Sequence, residues 1–365
     1  SGLGSYTFTW TEVNGSCSDS DQIIVDFLDV PTTANAGTDI NQCNNSTFTL
    51  NANTPTTGSG SWSITGGLGS ATISNPSSPT TTVTGVTAGN FVQLTWTISN
   101  GPCTPSTSTV TISNDLVPTA TAGSDAEICA TTTTYDITGT TSTNGSILWT
   151  SSGAGSFSDA TIDNPTYNVD PADATAGSVT LTKTVTTVFG ICANASDDMV
   201  LTITPLPTTA DAGTDIDQCN TSIFTMGANS PTLGTGTWSQ TGGTGTVTIT
   251  NPSSPTTTVT GLATGEFAEL TWTIANGSCT PSTDVVIITN DTPPTADAGA
   301  GGQICGVGGA NPFTLSATPS LGTGTWTASG PGTASFTDAN SATSDVTVSG
   351  LGSYTFTWTE VNGSC

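Results

Sequence analysis

The chain has 365 residues but no histidine and no arginine, and its one lysine is Lys183. Without histidine, neither a Ser-His-Asp nor a Cys-His catalytic set can form. No glycine-rich phosphate loop stands between a strand and a helix, and no carboxylate pair stands apart as an acid and base. The chain therefore reads as a non-enzyme. A surface with one base cannot neutralise phosphates, which excludes nucleic-acid binding. The net charge of −26 opposes contact with anionic lipid, so cations are the natural small partners. No run approaches the ~20 apolar residues of a membrane helix, and no membrane insertion is expected in these residues. Nor is there a signal peptide, so any export signal is expected outside them. Nine cysteines without CxxC or histidine do not read as a zinc site.

Hydrophobic residues make up 33% of the chain, and they alternate with polar ones. Leu94-Thr95-Trp96-Thr97-Ile98 and Tyr354-Thr355-Phe356-Thr357-Trp358 are typical. This is a strand signal, bounded by Gly, Pro, Asn and Ser turns, and no segment has convincing helical periodicity.

Two periods run through the chain. Residues 1–17, SGLGSYTFTWTEVNGSC, return unchanged as residues 349–365, a spacing of 348. Within that period, PTTANAGTDINQC at 31–43 returns as PTTADAGTDIDQC at 207–219, and NPSSPTTTVTG at 75–85 returns at 251–261. LTWTISNGPCTPST at 94–107 returns as LTWTIANGSCTPST at 270–283. Weaker relatives begin at Pro118 and Pro294. The expected domains are 31–117, 118–206, 207–293 and 294–365, the last truncated, with 1–30 as the C-terminal part of a domain from the preceding period. About 87 residues of short strands is the size of an immunoglobulin-like sandwich. The expected fold class is all-β: tandem immunoglobulin-like (PKD-like) β-sandwich domains arranged end to end.

Each domain carries two cysteines at matching places, 60 or 63 positions apart. The expected bridges lie within domains: Cys43–Cys103, Cys129–Cys192, Cys219–Cys279 and Cys305–Cys365, with Cys17 paired outside these residues. Both cysteines of a domain are expected near one end of the sandwich. A loop of ~60 residues so closed gains roughly 4 kcal/mol in the chain-entropy model. Regular disulfides point to an oxidising, extracellular location.

Tryptophans follow the same repeat. Trp62, Trp149, Trp238 and Trp326 come after the first cysteine, and Trp10, Trp96, Trp272 and Trp358 come seven residues before the second. They are expected in sandwich cores, with a sugar-binding platform as the alternative. Lys183 shares a strand face with Val179, Leu181 and Val185, near where the sibling domains carry a core tryptophan. Its readings are an intramolecular isopeptide bond to Asn or Asp, a bulge, or a lysine that snorkels at a sheet edge to pair with Asp. Acids gather near the domain joints. Asp39, Asp115, Asp125, Asp215, Asp291 and Asp297 are the Ca²⁺ candidates, since calcium takes carboxylate and carbonyl oxygens; solvated turn residues are the alternative.

The domain openings, such as Pro207–Cys219, together with GTGTW at 234–238, NPSSPTTTVTG and LTWTI-x-NG-x-C, resemble PKD-like and Ig-like repeats of giant Bacteroidota surface proteins. Among these are gliding-motility adhesins of the SprB type. The resemblance covers essentially the whole chain. It implies type IX secretion and display as a long surface filament at the cell surface. The expected function is a structural repeat of a long extracellular filament or stalk, part of a bacterial adhesin or motility fibre, whose partners are neighbouring repeats. The alternatives are repeats that themselves bind surface glycans or protein, and spacers of a secreted polysaccharide-degrading enzyme.

Overall fold

The computed structural model describes residues 2–306 and 312–365. By internal contacts the chain divides into two compact units, residues 1–126 with 132–202, and residues 127–131 with 203–365.

The first unit opens with a hairpin of β1 (Gly4–Asn14) and β2 (Cys17–Phe27). A first module follows, with β3 (Ile40–Cys43), β4 (Thr47–Thr49), β5 (Ser59–Gly67), β6 (Thr72–Ile73), β7 (Thr82–Thr84), β8 (Asn90–Ser99) and β9 (Ser106–Asp115). Its larger sheet runs β3-β9-β8-β5 and its smaller sheet β4-β7-β6. The alternation in β8 explains the layering: Val92, Leu94, Trp96 and Ile98 are buried, and none of the polar residues between them is. These four pack with Trp62, Phe48, Val83, Val110 and Ile112 into one core between the sheets. One feature departs from simple up-and-down pairing. β3 runs parallel to β9, with Ile40 opposite Ile112 and Cys43 opposite Asp115. This is an immunoglobulin-like β-sandwich, as expected.

At the middle of the core Trp62 and Trp96 face each other across β5 and β8, ring centroids 5.1 Å apart. Gly60 makes room for this, because a Cβ there would meet the Trp96 ring at 2.0 Å. A second module occupies most of the remainder of the first unit; its long strands Gly145–Ser151, Ser178–Thr187 and Ala195–Thr204, the last ending in the second unit, pair in the order third, second, first. Here Trp149 lies opposite Lys183 instead of a second tryptophan. A one-turn helix, Pro171–Ala176, interrupts the strands; Asp170 caps it and Gly177 ends it in the left-handed region.

The second unit holds a third module that repeats the first. Ile216–Cys219 lies parallel to Ser282–Asp291, and Trp238 faces Trp272 at 5.1 Å. Gly236 stands where Gly60 does, and a Cβ there would meet the Trp272 ring at 2.1 Å. In the fourth module Thr323–Ser329 pairs with Thr355–Val361 as a two-stranded sheet, and Trp326 faces Trp358 at 5.2 Å.

Candidate functional site: the cysteine-linked junctions

The parallel strand decides where the cysteines lie. Because β3 runs alongside β9 in the same direction, Cys43 ends beside Asp115, where the chain leaves the module. Cys103 sits in the turn between β8 and β9, at the opposite end. About ten strand residues separate the two ends, roughly 30 Å at 3.3 Å per residue. A disulfide needs Cα atoms within about 7 Å, so the two cannot meet.

The expected bridges within domains are therefore corrected. Cys43 bonds Cys192, Cys129 bonds Cys279, and Cys219 bonds Cys365, with Cα separations of 4.9, 4.7 and 4.9 Å. The first cysteine of each of the first three modules joins the second cysteine of the next. Cys43–Cys103, Cys129–Cys192, Cys219–Cys279 and Cys305–Cys365 do not form; Cys17, Cys103 and Cys305 are unbonded. The expectation that both cysteines share one end fails for the same reason.

Around each bridge the downstream turn is held by an acid from the upstream module. Asp115 is buried, and its Oδ2 accepts from the N–H groups of Ile191 and Cys192. Burial raises the Asp115 carboxyl, but hydrogen bonds from the Thr187 hydroxyl and from the N–H groups of Ile191, Cys192 and Leu116 outweigh it. They hold the group below the usual aspartate range. Glu127 Oε1 accepts from the Ser278 N–H at 3.0 Å and from the Thr204 hydroxyl. The hydroxyl, and then the N–H, lower its carboxyl. Asp291 Oδ2 accepts from both the N–H and the hydroxyl of Ser364.

The Asn-Gly turn serves this grip. Asn100, Asn276 and Asn362 each donate a side-chain N–H to a linker carbonyl oxygen just upstream, at Asp29, Pro205 and Thr292. Gly277 has φ +48°, and a Cβ there would lie 1.9 Å from Glu127 Oε1, so both backbone conformation and space require glycine. The Asn-Gly-x-Cys motif stands out in the sequence, but Glu127 does not figure among the acids it marks. The available signal is an acid just before a first cysteine, in the one module whose following joint lacks an aspartate.

The calcium candidates are spread along the chain. Asp39 accepts from the Thr111 N–H, Asp125 from Val200, Asp215 from Ile287, and Asp297 from Gly299. Asp115 and Asp291 are the junction acids just described. Among the described residues, no three His, Cys, Asp or Glu side chains come together as a metal would need.

Seven of the eight tryptophans are buried in the cores, and Trp10 alone is exposed. Lys183 is wholly buried, with Val179, Leu181 and Val185 buried beside it on the same strand face. Its ammonium pairs with Asp163 Oδ1, donates to Thr140 Oγ1 and the Thr141 carbonyl oxygen, and stands 5.7 Å over the Trp149 ring. The aspartate partner agrees with the ion-pair reading, although the lysine is enclosed rather than snorkelling.

No family model and no curated protein matches the chain. Among solved structures, an I-band fragment of titin aligns at 12% identity over 72% of this chain and 98% of its own, with a TM-score of 0.43. Five immunoglobulin domains of Sidekick-1 align at 12% identity over 89% and 83%, TM-score 0.35. The first four extracellular domains of Drosophila N-cadherin align at 17% identity over 80% and 84%, TM-score 0.30.

Proposed function

We propose that this chain is a structural repeat of a long extracellular filament or stalk, displayed at a bacterial cell surface as part of an adhesin or motility fibre, whose cysteine register lets tension bypass the sandwich cores. The observation that carries this reading is the pairing of each first cysteine with the second cysteine of the next module.

The covalent path supports this reading. From Cys43 the path crosses to Cys192, runs 27 residues to Cys219, and crosses to Cys365. A second path runs 26 residues from Cys103 to Cys129, crosses to Cys279, and continues to Cys305. Two covalent lanes thus thread the chain, offset by one module. Each uses only the last strand of one module, the linker and the opening residues of the next as far as its first cysteine. The rest of each sandwich hangs outside the lane. A lane segment of 26 or 27 residues can reach at most about 90 Å, whereas an unfolded 89-residue module could release about 300 Å. Regular disulfides support an oxidising, extracellular setting. The aromatic side chains that would make sugar platforms are in the cores, apart from Trp10. The type IX-secreted, SprB-like identity rests on the sequence motifs alone.

Stretching the chain from residue 1 to residue 365 tests the reading. With these bridges the path is roughly 72 residues, a maximum extension of about 250 Å. Bridges within modules would leave about 126 residues and roughly 440 Å. After reduction the full chain should extend to about 1,300 Å. An oxidised extension near 440 Å or beyond would overturn the bypass.

A further inference from the structure

The hairpin β1–β2 carries an apolar face that no other described residue covers. Tyr6, Phe8, Trp10, Ile23, Val25 and Phe27 are 39, 52, 72, 63, 36 and 51% exposed. Their register is that of the buried hairpins. Phe8 lies opposite Ile23 as Leu94 lies opposite Val110 and Leu270 opposite Val286. Tyr6 lies opposite Val25 as Val92 lies opposite Ile112, and Trp10 opposite Asp21 as Trp272 lies opposite Asp284. Those counterparts in the first and third modules are essentially fully buried where they are apolar. A six-residue face of this kind on an isolated two-stranded ribbon is unstable in water without a covering layer.

The sequence says what that layer is. β1 lies within residues 1–17, identical to residues 349–365. In the fourth module that same sequence is covered: Trp358 is buried against Trp326, with Gly324 beneath its ring at 1.8 Å from a would-be Cβ. Phe356 meets Phe336 edge-on at 6.0 Å. The covering strands lie between residues 313 and 348. Among the described residues, Thr355–Val361 pairs with Thr323–Ser329.

Cys103 adds an independent sign. Its Sγ stands 3.4 Å from the Asp29 carbonyl oxygen, much as bonded Cys279 stands 3.2 Å from that of Thr204 and bonded Cys365 3.5 Å from that of Asp291. Asn100 grips Asp29 as Asn276 and Asn362 grip their linkers. Cys103 thus shares the carbonyl and asparagine contacts of the bonded junctions, while the Asp29 carboxylate accepts from the Val30 N–H rather than from the turn.

We infer that β1–β2 is the closing half of a sandwich whose other half is a copy of residues 294–348 standing directly ahead of it in the chain, and that the copy of Cys305 bonds Cys103. This rests on the cysteine register and holds whether or not the chain carries tension. In forming the bridge, the two thiols release two protons and two electrons to glutathione disulfide, which leaves as two glutathione thiols.

The test joins a copy of residues 294–348 directly ahead of Ser1 in the full chain and refolds it with oxidised glutathione. Backbone hydrogen exchange in β1–β2 should slow on the order of 100-fold relative to the unextended chain, as expected for a strand taken into a cooperative core. Peptide mapping should find the copied Cys305 bonded to Cys103, with Cys17 free. The same extension carrying Cys305→Ser should give similar protection without the bridge, which separates docking from cross-linking. Unchanged exchange in both extended chains, or a bridge from the copied Cys305 to Cys17, would overturn the proposal. So would concentration-dependent association of the unextended chain that protects its hairpin, because the occupant would then be a second copy.

Discussion

The first and second modules solve the same packing problem with different chemistry. In the first, Trp62 and Trp96 meet over Gly60; in the second, Trp149 meets the Lys183 ammonium, and Ile147 stands at the position of Gly60. The exchange is concerted. A second tryptophan needs the glycine, because its ring lies where any Cβ would be. With lysine the ring is gone and an isoleucine fills the space. The buried ammonium then requires oxygens, which Asp163, Thr140 and Thr141 provide. Yet both modules make the same junction, with an acid or Asn-Gly turn beside a bridge to the neighbour. The cores vary while the cysteine register does not, as expected if the joints rather than the cores carry the function.

The largest effect should come from forcing one solution onto the other. Lys183→Trp alone drives an indole into Ile147 and should cost about 3 kcal/mol or more in urea unfolding of the full chain. Adding Ile147→Gly should recover at least half, a coupling of about 1.5 kcal/mol or more. If the two changes simply add, the proposed exchange of Gly-Trp for Ile-Lys is incorrect.

Next comes Asp163→Asn, which leaves a fully buried ammonium without its counter-charge and should cost about 2–4 kcal/mol. Lys183→Met should cost less, because the Asp163 side chain is 42% exposed and can hydrate once alone. Equal losses from the two variants would show that the pair is not asymmetric in the way the burial implies.

A smaller difference should appear with pH. The Lys183 hydrogen bond, above all, holds the Asp163 carboxyl below its usual range. Asp173 is also held low: burial raises it, but hydrogen bonds from Tyr167 and from the N–H groups of Ala154, Asp170 and Gly155 outweigh that. A carboxyl whose folded pKa is depressed adds stability that is complete above its free value, near 4, and lost as pH falls through the folded value. The Trp62–Trp96 and Trp238–Trp272 pairs hold no titrating group, and the lowered acid of the first module, Asp115, bonds Thr187 at the end of Ser178–Thr187. Melting followed by hydrogen exchange from pH 6 to pH 2 should therefore weaken Ser178–Thr187 before Asn90–Ser99. Simultaneous loss would contradict the assignment.

Much of the fold is legible in the residues. The two-residue alternation in Leu94–Ile98 marks a half-buried strand, and the spacing of the tryptophans marks core positions in each module. Lys183 falls at a core position because the strand pattern around it is unbroken. The helix Pro171–Ala176 escapes a reading by periodicity because six residues are too short to show one, although Asp170, Pro171 and Gly177 are its start and stop signals. The disulfide pairing differs from expectation for a topological reason. Matched cysteines at constant spacing fit pairing within a module and pairing with the next module equally well. Only the direction of β3 against β9 decides between them, and strand direction leaves no trace in Ile40-Asn41-Gln42-Cys43. The junction acids are visible as charge, but their work as acceptors for the turn ahead of a cysteine requires the two modules side by side.

The bridge register is most directly tested by peptide mapping of the oxidised, unreduced chain. Linked peptides containing Cys43 with Cys192, Cys129 with Cys279, and Cys219 with Cys365 are expected, all collapsing to single peptides on reduction. Peptides linking Cys43 with Cys103, or Cys219 with Cys279, would contradict it.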